Sequence, residues 1–477
     1  MRLRDQLLAV KSIQLLEEEM AGENRLRRVL GPVSLTALGV GAIIGAGIFV
    51  LTGLAAHDHA GPALMLSFVV AGLGCAFAAL CYAEFASMIP VAGSAYTYAY
   101  ATLGELMAWV IGWDLILEYG MASSTVAYGW SKYFLHLLDL FGIHLPVFLT
   151  SDPFSVPGAW CNLPAALVVL LVTVVLVIGI RESASFNASM VLLKLGVVLF
   201  VIAAGSAYVD PANWQPFMPF GLTGVASGAA YVFFAYIGFD SVSTHAEEAR
   251  NPQRDVPIGI IGSLLLCTLL YIAVAAVLTG MVPYTEIDID APLAAAFVRY
   301  GLSAAVLFIS VGAVAGITSV LLVLMLSQPR VFFAMARDGL LPHSFFGTVH
   351  PRFRTPHKAT ILTGSLVALV AALFPIHALA EMVNIGTLFA FVVVCSAVWV
   401  MRYTNPRQRR PFRCPFVPLV PALGIVFNLG LMFSLGRHNW ERLGIWLAVG
   451  LVIYFAYSRR HSKLLASAVA GAPARRR

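Results

Sequence analysis

Two apolar segments of this sequence are interrupted by glycine. Residues 39–49 contain four glycines within nine positions, and residues 233–248 pass from phenylalanines through Gly238 and Asp240 into an acidic stretch. Each glycine weakens a helix by roughly 1 kcal/mol relative to alanine, and in lipid such weakening is tolerated where the freed backbone groups are used. The pattern favours two broken helices that line a binding site. A helix-packing surface at Gly41-xxx-Gly45 is the alternative. A dinucleotide loop is excluded because no strand precedes these glycines.

Broken helices have a specific chemistry. The start of a half-helix presents unpaired N–H groups that suit a carboxylate, and unwound carbonyl groups suit an ammonium. A zwitterionic α-amino acid matches both.

Three of the charged residues within apolar segments are candidates for chemistry. Lys194 has apolar neighbours on every face of its segment, at a depth where a charge costs at least about 2.5 kcal/mol. Burial favours the neutral amine, so we expect this lysine to gain and lose a proton; a permanent ion pair with a carboxylate is the alternative. Asp114 and Glu118 are one turn apart and share a helix face. Glu118 could favour a cationic substrate side chain or bond to a neighbouring helix.

The elements that position these residues are transmembrane helices. Of 477 residues 60% are hydrophobic and 11% are charged, whereas soluble domains have about 25% charged residues. Spans of about 20 apolar residues are predicted at twelve places: 34–56, 62–87, 96–130, 163–180, 187–208, 222–245, 257–282, 301–336, 358–375, 379–402, 418–436 and 441–458. The third and eighth are over-long, which predicts tilt or extension beyond the bilayer.

Basic residues predict the orientation. If the chain crosses the membrane twelve times, most of its basic residues lie on one side of the membrane, the side on which both termini lie. Because cytoplasmic loops are enriched in Lys and Arg, both termini are predicted to be cytoplasmic. The basic residues on this side are Arg25, Arg27, Arg28, Arg181, Arg250, Arg254, Arg337, Arg352, Arg354, Lys358, Arg402, Arg407, Arg409, Arg410, Arg413, Arg459 and Arg460. This distribution also explains the net charge of +6 without a nucleic-acid partner. No cofactor, metal site or disulfide is predicted.

Five motifs carry a family resemblance. Residues 41–49 (GAIIGAGIF), 82–90 (YAEFASMIP) with 93–100 (GSAYTYAY), and 233–248 resemble the amino acid–polyamine–organocation superfamily. Residues 329–342 (PRVFFAMARDGLLP) and 411–421 (PFRCPFVPLVP) are similar to its cationic amino acid transporter family in the short bacterial form. The resemblance covers residues 28–457. Ala46 departs from it, since bacterial relatives often have threonine there, whose hydroxyl could contact a substrate carboxylate.

The resemblance implies an all-α fold of ten core helices in a five-plus-five inverted repeat, with two peripheral C-terminal helices. The implied division is a cytoplasmic segment 1–29, repeats 30–208 and 209–403, peripheral helices 404–458 and a cytoplasmic tail 459–477. The implied location is the bacterial inner membrane.

The resemblance also assigns site residues. The carboxylate site lies at Ile43, Ala46 and Gly47, with Ile44 and Gly45 in the same break. Carbonyl groups of Phe234, Ala235 and Ile237 bind the amino group, and Phe239 is a gating aromatic. In proton-coupled relatives the equivalent of Lys194 stands where sodium-coupled ones bind Na⁺, and here it would bridge Gly41 and Ser319.

Specificity is assigned to Glu118 and to Val320, Val323 and Leu324, which form one helix face. These three side chains are apolar, which favours a small or apolar substrate side chain over arginine. We expect a secondary transporter of amino acids, most simply a proton symporter. An exchanger or uniporter, possibly for cationic substrates, is the alternative, and a small partner subunit is left open. Two broken helices around a single binding site argue against a channel. The absence of HExxH, GxSxG and GxGD motifs argues against an intramembrane enzyme.

Overall fold

A computed structural model describes residues 7–11, 30–89, 94–179 and 184–464. The predicted segments 1–29 and 459–477 fall largely outside these ranges. Arg25, Arg27, Arg28, Arg181 and motif residues 90–93 lie outside them entirely.

The described residues are helical and contain no strand beyond two isolated bridges. Within the described ranges the thirteen principal helices are α1 Pro32–Ile43, α2 Leu64–Met88, α3 Ser94–Thr102, α4 Glu105–Leu140, α5 Leu163–Ile178, α6 Ala184–Gly205, α7 Gly221–Val232, α8 Pro252–Met281, α9 Ser303–Arg337, α10 His357–Leu373, α11 Ile376–Thr404, α12 Leu419–Ser434 and α13 Arg437–Ile453. Shorter α-helical pieces are Thr52–Ala55, Ser241–Thr244, Pro292–Val298, His343–Phe346 and Arg459–His461.

Seven helical stretches among the described residues are long and apolar enough to cross a membrane. They are Gly47–Met88, Ala188–Tyr208, Gly221–Ser243, Pro252–Met281, Ser303–Arg337, Ile376–Thr404 and Arg437–His461. Four more helices are apolar but shorter, namely α1, α5, α10 and α12. The prediction of an all-helical membrane protein is confirmed.

The predicted third span differs from the structure. Residues 96–130 were expected to form one helix, but α3 ends at Thr102 and the 36-residue α4 begins at Glu105. Gly104 between them has φ +99°, a conformation that ends a helix and is accessible mainly to glycine. The predicted eighth span does form one 35-residue helix, α9.

Two polar contacts fix helices that are distant in sequence. Glu84 on α2 is buried and accepts hydrogen bonds from Arg402 on α11 (2.6 and 3.0 Å) and from Arg410 in the following loop (3.1 Å). The indole N–H groups of Trp113 on α4 and Trp446 on α13 donate to each other's backbone carbonyl groups at 2.8 and 3.0 Å. Helix α13 is therefore held directly against α4.

The chain before α1 pairs with the chain before α8. The Leu30 N–H donates to the Glu248 carbonyl (3.0 Å), and the Arg250 N–H donates to the Leu30 carbonyl (2.8 Å). These bonds join the entrance of the first glycine-interrupted segment to the exit of the second.

Candidate functional site

The first glycine-rich segment is broken where the sequence predicts. Helix α1 ends at Ile43, Ile44 is extended (φ −72°, ψ 104°), and the chain resumes as a π-helical turn at Gly47–Leu51. Further short helical pieces, Thr52–Ala55, Ala56–Ala60 and Gly61–Ala63, lead into α2. Because the first N–H groups of a helix have no carbonyl partner within it, the amides of Ala46 and Gly47 are positioned to bind an anion.

The second segment is broken as well. Helix α7 continues as a 3₁₀ turn, Phe233–Tyr236, and Ile237 is then extended (φ −60°, ψ 131°). Gly238 has φ +121°, and a short helix follows at Ser241–Thr244. The Phe234 carbonyl accepts the Ile237 N–H at 3.2 Å. The Ala235 and Ile237 carbonyl oxygens accept no hydrogen bond from the described residues, so they are available to a cationic amino group.

The two breaks lie against each other. A Cβ atom placed on Gly47 would be 2.4 Å from the Ala235 Cα, and one placed on Gly238 would be 2.8 Å from the Ala42 carbonyl oxygen. Only glycine permits backbones to approach this closely. The residues predicted to bind the carboxylate and those predicted to bind the amino group are therefore brought together.

A small cavity adjoins the breaks. Its volume is about 20 Å³, and it is lined by Ala42, Glu118, Tyr119, Ile237, Gly238, Asp240, Ser241, Val320, Val323, Leu324 and Ser327. All four predicted specificity residues are among them. Sites that enclose small molecules usually measure about 300–1,000 Å³, whereas this volume suits one water molecule. The structure is therefore closed around the site, and entry of a substrate requires rearrangement.

An aromatic cluster covers the second break. The Phe239 side chain is fully buried, and its ring lies 5.9 Å from that of Tyr82 and 5.1 Å from that of Phe391. Tyr82 belongs to α2 and Phe391 to α11, so any movement of Phe239 must disturb both helices.

Gly45, in the first break, faces another helix, since a Cβ atom there would be 3.0 Å from the Val320 side chain on α9.

Lys194 reaches the end of α1. Its side chain is 1% exposed, and Nζ donates to the Gly41 carbonyl oxygen at 2.6 Å. Its methylene groups pack against Gly316 of α9. Among the described residues Lys194 forms no hydrogen bond with Ser319, whose hydroxyl donates to the Gly316 carbonyl (3.1 Å). Within the described ranges no carboxylate forms an ion pair with Lys194.

Asp114 and Glu118, the two acidic residues in the middle of α4, are buried and incompletely hydrogen-bonded. Both carboxylate oxygens of Asp114 and one of Glu118 accept no hydrogen bond from the residues that the structure describes. Glu118 faces the cavity, and Asp114 lies beside Gly386 of α11. Unpartnered buried acids inside a membrane protein suit binding of a cation or a proton.

Three further side chains hold the broken helices, and the sequence did not single them out. The Tyr271 hydroxyl donates to the Ile43 carbonyl at 3.0 Å, and the Asn384 amide donates to the carbonyl groups of Ala230 and Tyr231 at 2.9 and 3.1 Å. Tyr133 donates to the Phe49 carbonyl at 2.8 Å. They satisfy carbonyl groups near the breaks, as a lipid environment requires. A tyrosine or asparagine in an apolar run has no spacing that reveals such a role.

A many-helix membrane fold with two facing broken helices is typical of secondary transporters. The sequence profile of the family described as "Amino acid permease" matches residues 30–455. The chain belongs to this family, within the amino acid–polyamine–organocation superfamily, and it is a multi-pass membrane protein.

Curated relatives cover nearly the whole chain. It is 53% identical over 457 residues to the branched-chain amino acid permease BcaP of Bacillus subtilis (strain 168), covering 95% of this chain and 98% of that one. It is 52% identical over 439 residues to the methylthioribose transporter of the same organism, covering 92% and 95%. It is 34% identical over 577 aligned positions to the vacuolar cationic amino acid transporter 4 of Arabidopsis thaliana, covering 95% of each chain.

Proposed function

We propose that this amino acid permease is a proton symporter that works by alternating access. The observation that carries the proposal is the hydrogen bond from Lys194 to Gly41 (2.6 Å), without a carboxylate partner in the described residues. A charge at this depth is costly, so an unpaired lysine can release its proton. Because Gly41 lies within α1, one turn before the break, the protonation state of Lys194 would bear directly on the position of the first half-helix.

The proposed substrate is an L-amino acid with an apolar side chain. The amides of Ala46 and Gly47 would bind its carboxylate, and the carbonyl groups of Ala235 and Ile237 its amino group. The side chain would point towards Val320, Val323 and Leu324. The printed name of the branched-chain relative supports an apolar substrate, whereas the methylthioribose relative has an equally similar sequence and a substrate that is not an amino acid.

A cationic substrate is the second candidate. Glu118 lines the cavity with one oxygen unpartnered, and Asp114 lies one turn away. The plant relative is named as a cationic amino acid transporter. An ammonium or guanidinium group that reached Glu118 would satisfy its one buried carboxylate oxygen that has no hydrogen-bond partner among the described residues.

We also propose twelve spans, with both termini in the cytoplasm of a bacterial cell. Helix α1 with the half-helix after Gly47 would be the first span, followed by α2 and α4 to α13. The two broken helices would each open a five-helix repeat, and α12 and α13 would follow the second repeat. The distribution of basic residues supports this orientation, and the Bacillus relatives support the plasma membrane.

The energetics permit proton coupling. One charge moving through 100 mV supplies about 2.3 kcal/mol, and tenfold accumulation costs about 1.4 kcal/mol. One proton could therefore support roughly fifty-fold accumulation before any pH gradient is added.

The test is uptake of labelled L-alanine, L-leucine, L-arginine and methylthioribose into proteoliposomes, with and without an inward proton gradient. Wild type is compared with Lys194→Ala and with Lys358→Ala, a lysine in the first turn of α10 whose ammonium group lies at the surface, as the matched control. Gradient-driven leucine uptake that is lost only in Lys194→Ala supports the proposal. Uptake indifferent to the gradient in every variant removes proton coupling and favours an exchanger or uniporter.

A further inference from the structure

A buried ion pair joins the N-terminal segment to the end of α9. Lys11 Nζ lies 2.9 Å from a carboxylate oxygen of Asp338, and the two side chains are 5% and 9% exposed. The Tyr96 hydroxyl on α3 donates to the other oxygen of Asp338 at 2.7 Å. Removing one partner of a buried ion pair leaves an uncompensated charge, so the pair couples the position of the N-terminal segment to the end of α9.

The backbone of this segment docks as well. The Lys11 N–H donates to the Tyr100 carbonyl, and the Glu105 N–H donates to the Ala9 carbonyl, both at 3.0 Å. Segment 7–11 crosses Gly104 so closely that a Cβ atom there would be 2.8 Å from the Leu8 Cα. The first unpaired N–H of α4 is therefore satisfied by the N-terminal segment.

The C-terminal end meets the same residues. The Lys463 N–H donates to the Asp338 backbone carbonyl at 3.0 Å. The hydroxyl groups of Tyr454 and Ser462 both donate to the buried carboxylate of Glu105, the former at 2.9 Å. The two ends of the described chain are thus joined through Asp338 and Glu105.

These contacts lie at one end of two helices that line the cavity. Helix α4 leads from Glu105 to Glu118, and α9 leads from Ser327 to Asp338, distances of about 15–20 Å at 1.5 Å per residue. The N-terminal segment also leads, through residues 12–29, to Leu30, which is paired with Glu248 and Arg250 at the exit of the second broken helix.

We propose that the two terminal segments form a clasp, residues 7–11 with residues 454–463, which holds the cytoplasmic entrance to the site closed. The clasp ties the chain that enters the first broken helix to the ends of α4 and α9, and the Lys11–Asp338 pair is its lock. Opening towards the cytoplasm requires the pair to separate. This inference rests on the proposed orientation and alternating access, but not on the identity of the substrate or on proton coupling.

The test measures access to the cavity directly. Ser327→Cys places a thiol on the cavity wall, and a membrane-impermeant maleimide is added to inside-out vesicles, with protein lacking the new cysteine as background. Lys11→Gln and Asp338→Asn are each expected to raise the labelling rate at least about tenfold, because either change removes the buried pair. The double variant should label no faster than the faster single variant, since both remove the same contact.

The matched control is Arg437→Gln, which removes an ion pair with Glu441 in which Arg437 is 89% exposed, and it should leave labelling unchanged. Labelling from the outside, in right-side-out vesicles, should not rise in any clasp variant. The proposed role of the Lys11–Asp338 pair is refuted if cytoplasmic labelling is unchanged in folded Lys11→Gln protein. It is also refuted if labelling increases in only one of the two single variants. If the Lys11→Gln protein is not monodisperse on size-exclusion chromatography, a variant that lacks residues 1–11 is used instead. Its rate of maleimide labelling at Ser327→Cys then tests the proposal in the same way.

Discussion

Replacing Gly47 by alanine tests whether the contact between the two broken helices is necessary. The added methyl carbon would lie 2.4 Å from the Cα and 2.7 Å from the Cβ of Ala235. Since the first of these neighbours is backbone, the conflict cannot be relieved by a side-chain rotation. Ordinary van der Waals contact begins at 3.4 Å, so the half-helices must separate by roughly 1 Å, a displacement that can cost about a hundredfold in a positioned reaction.

The expected result is a fall in uptake of about a hundredfold, equivalent to about 2.7 kcal/mol. Overpacking of the interior should separately lower the folding stability by about 1–3 kcal/mol. Uptake into proteoliposomes is the assay, and thermal unfolding in detergent shows whether the variant is folded. Gly444→Ala on α13 is the control, because a Cβ atom there meets nothing within 4 Å. Wild-type uptake by folded Gly47→Ala protein would refute the close contact between the breaks.

Three further changes follow from the packing. Tyr271→Phe removes the hydrogen bond to the last carbonyl of α1 and should destabilise the protein by about 1 kcal/mol, read as a lower melting temperature and slower uptake; no change in either would contradict that role. Glu84→Gln leaves Arg402 without its buried carboxylate and should cost about 3 kcal/mol of stability, whereas Glu441→Gln at the surface should be neutral in the same thermal assay; equal melting temperatures would contradict this. Val320→Ala enlarges the proposed side-chain site and should raise the ratio of leucine to alanine uptake by about tenfold; a constant ratio would place the side chain elsewhere.

The positions of both helix breaks could be predicted because glycine weakens helices in a way that the sequence displays directly. The structure also has the Lys194–Gly41 hydrogen bond that the resemblance implied, although the role of Lys194 stays a prediction. The other implied contact, with Ser319, is absent from the described residues, where the Ser319 hydroxyl donates to the Gly316 carbonyl.

Other parts of the site were not predictable for physical reasons. Tyr271 and Asn384 act through single hydrogen bonds to backbone, and such bonds leave no periodic pattern. The size of the cavity depends on how far the helices have closed, which residue types do not record. Lys11 belongs to the predicted cytoplasmic segment 1–29, and its burial depends on a partner more than three hundred residues away.

The pairing of Leu30 with Glu248 and Arg250 has a consequence for how motion would be observed. Two backbone hydrogen bonds join the start of the first broken helix to the end of the second. We therefore expect these two segments to move together. Spin labels placed on these two segments should keep a constant distance from each other throughout the transport cycle. The distances from each of the two labels to a third label on α4 should change together. Distance measurements on the two broken helices would therefore report one shared movement relative to α4.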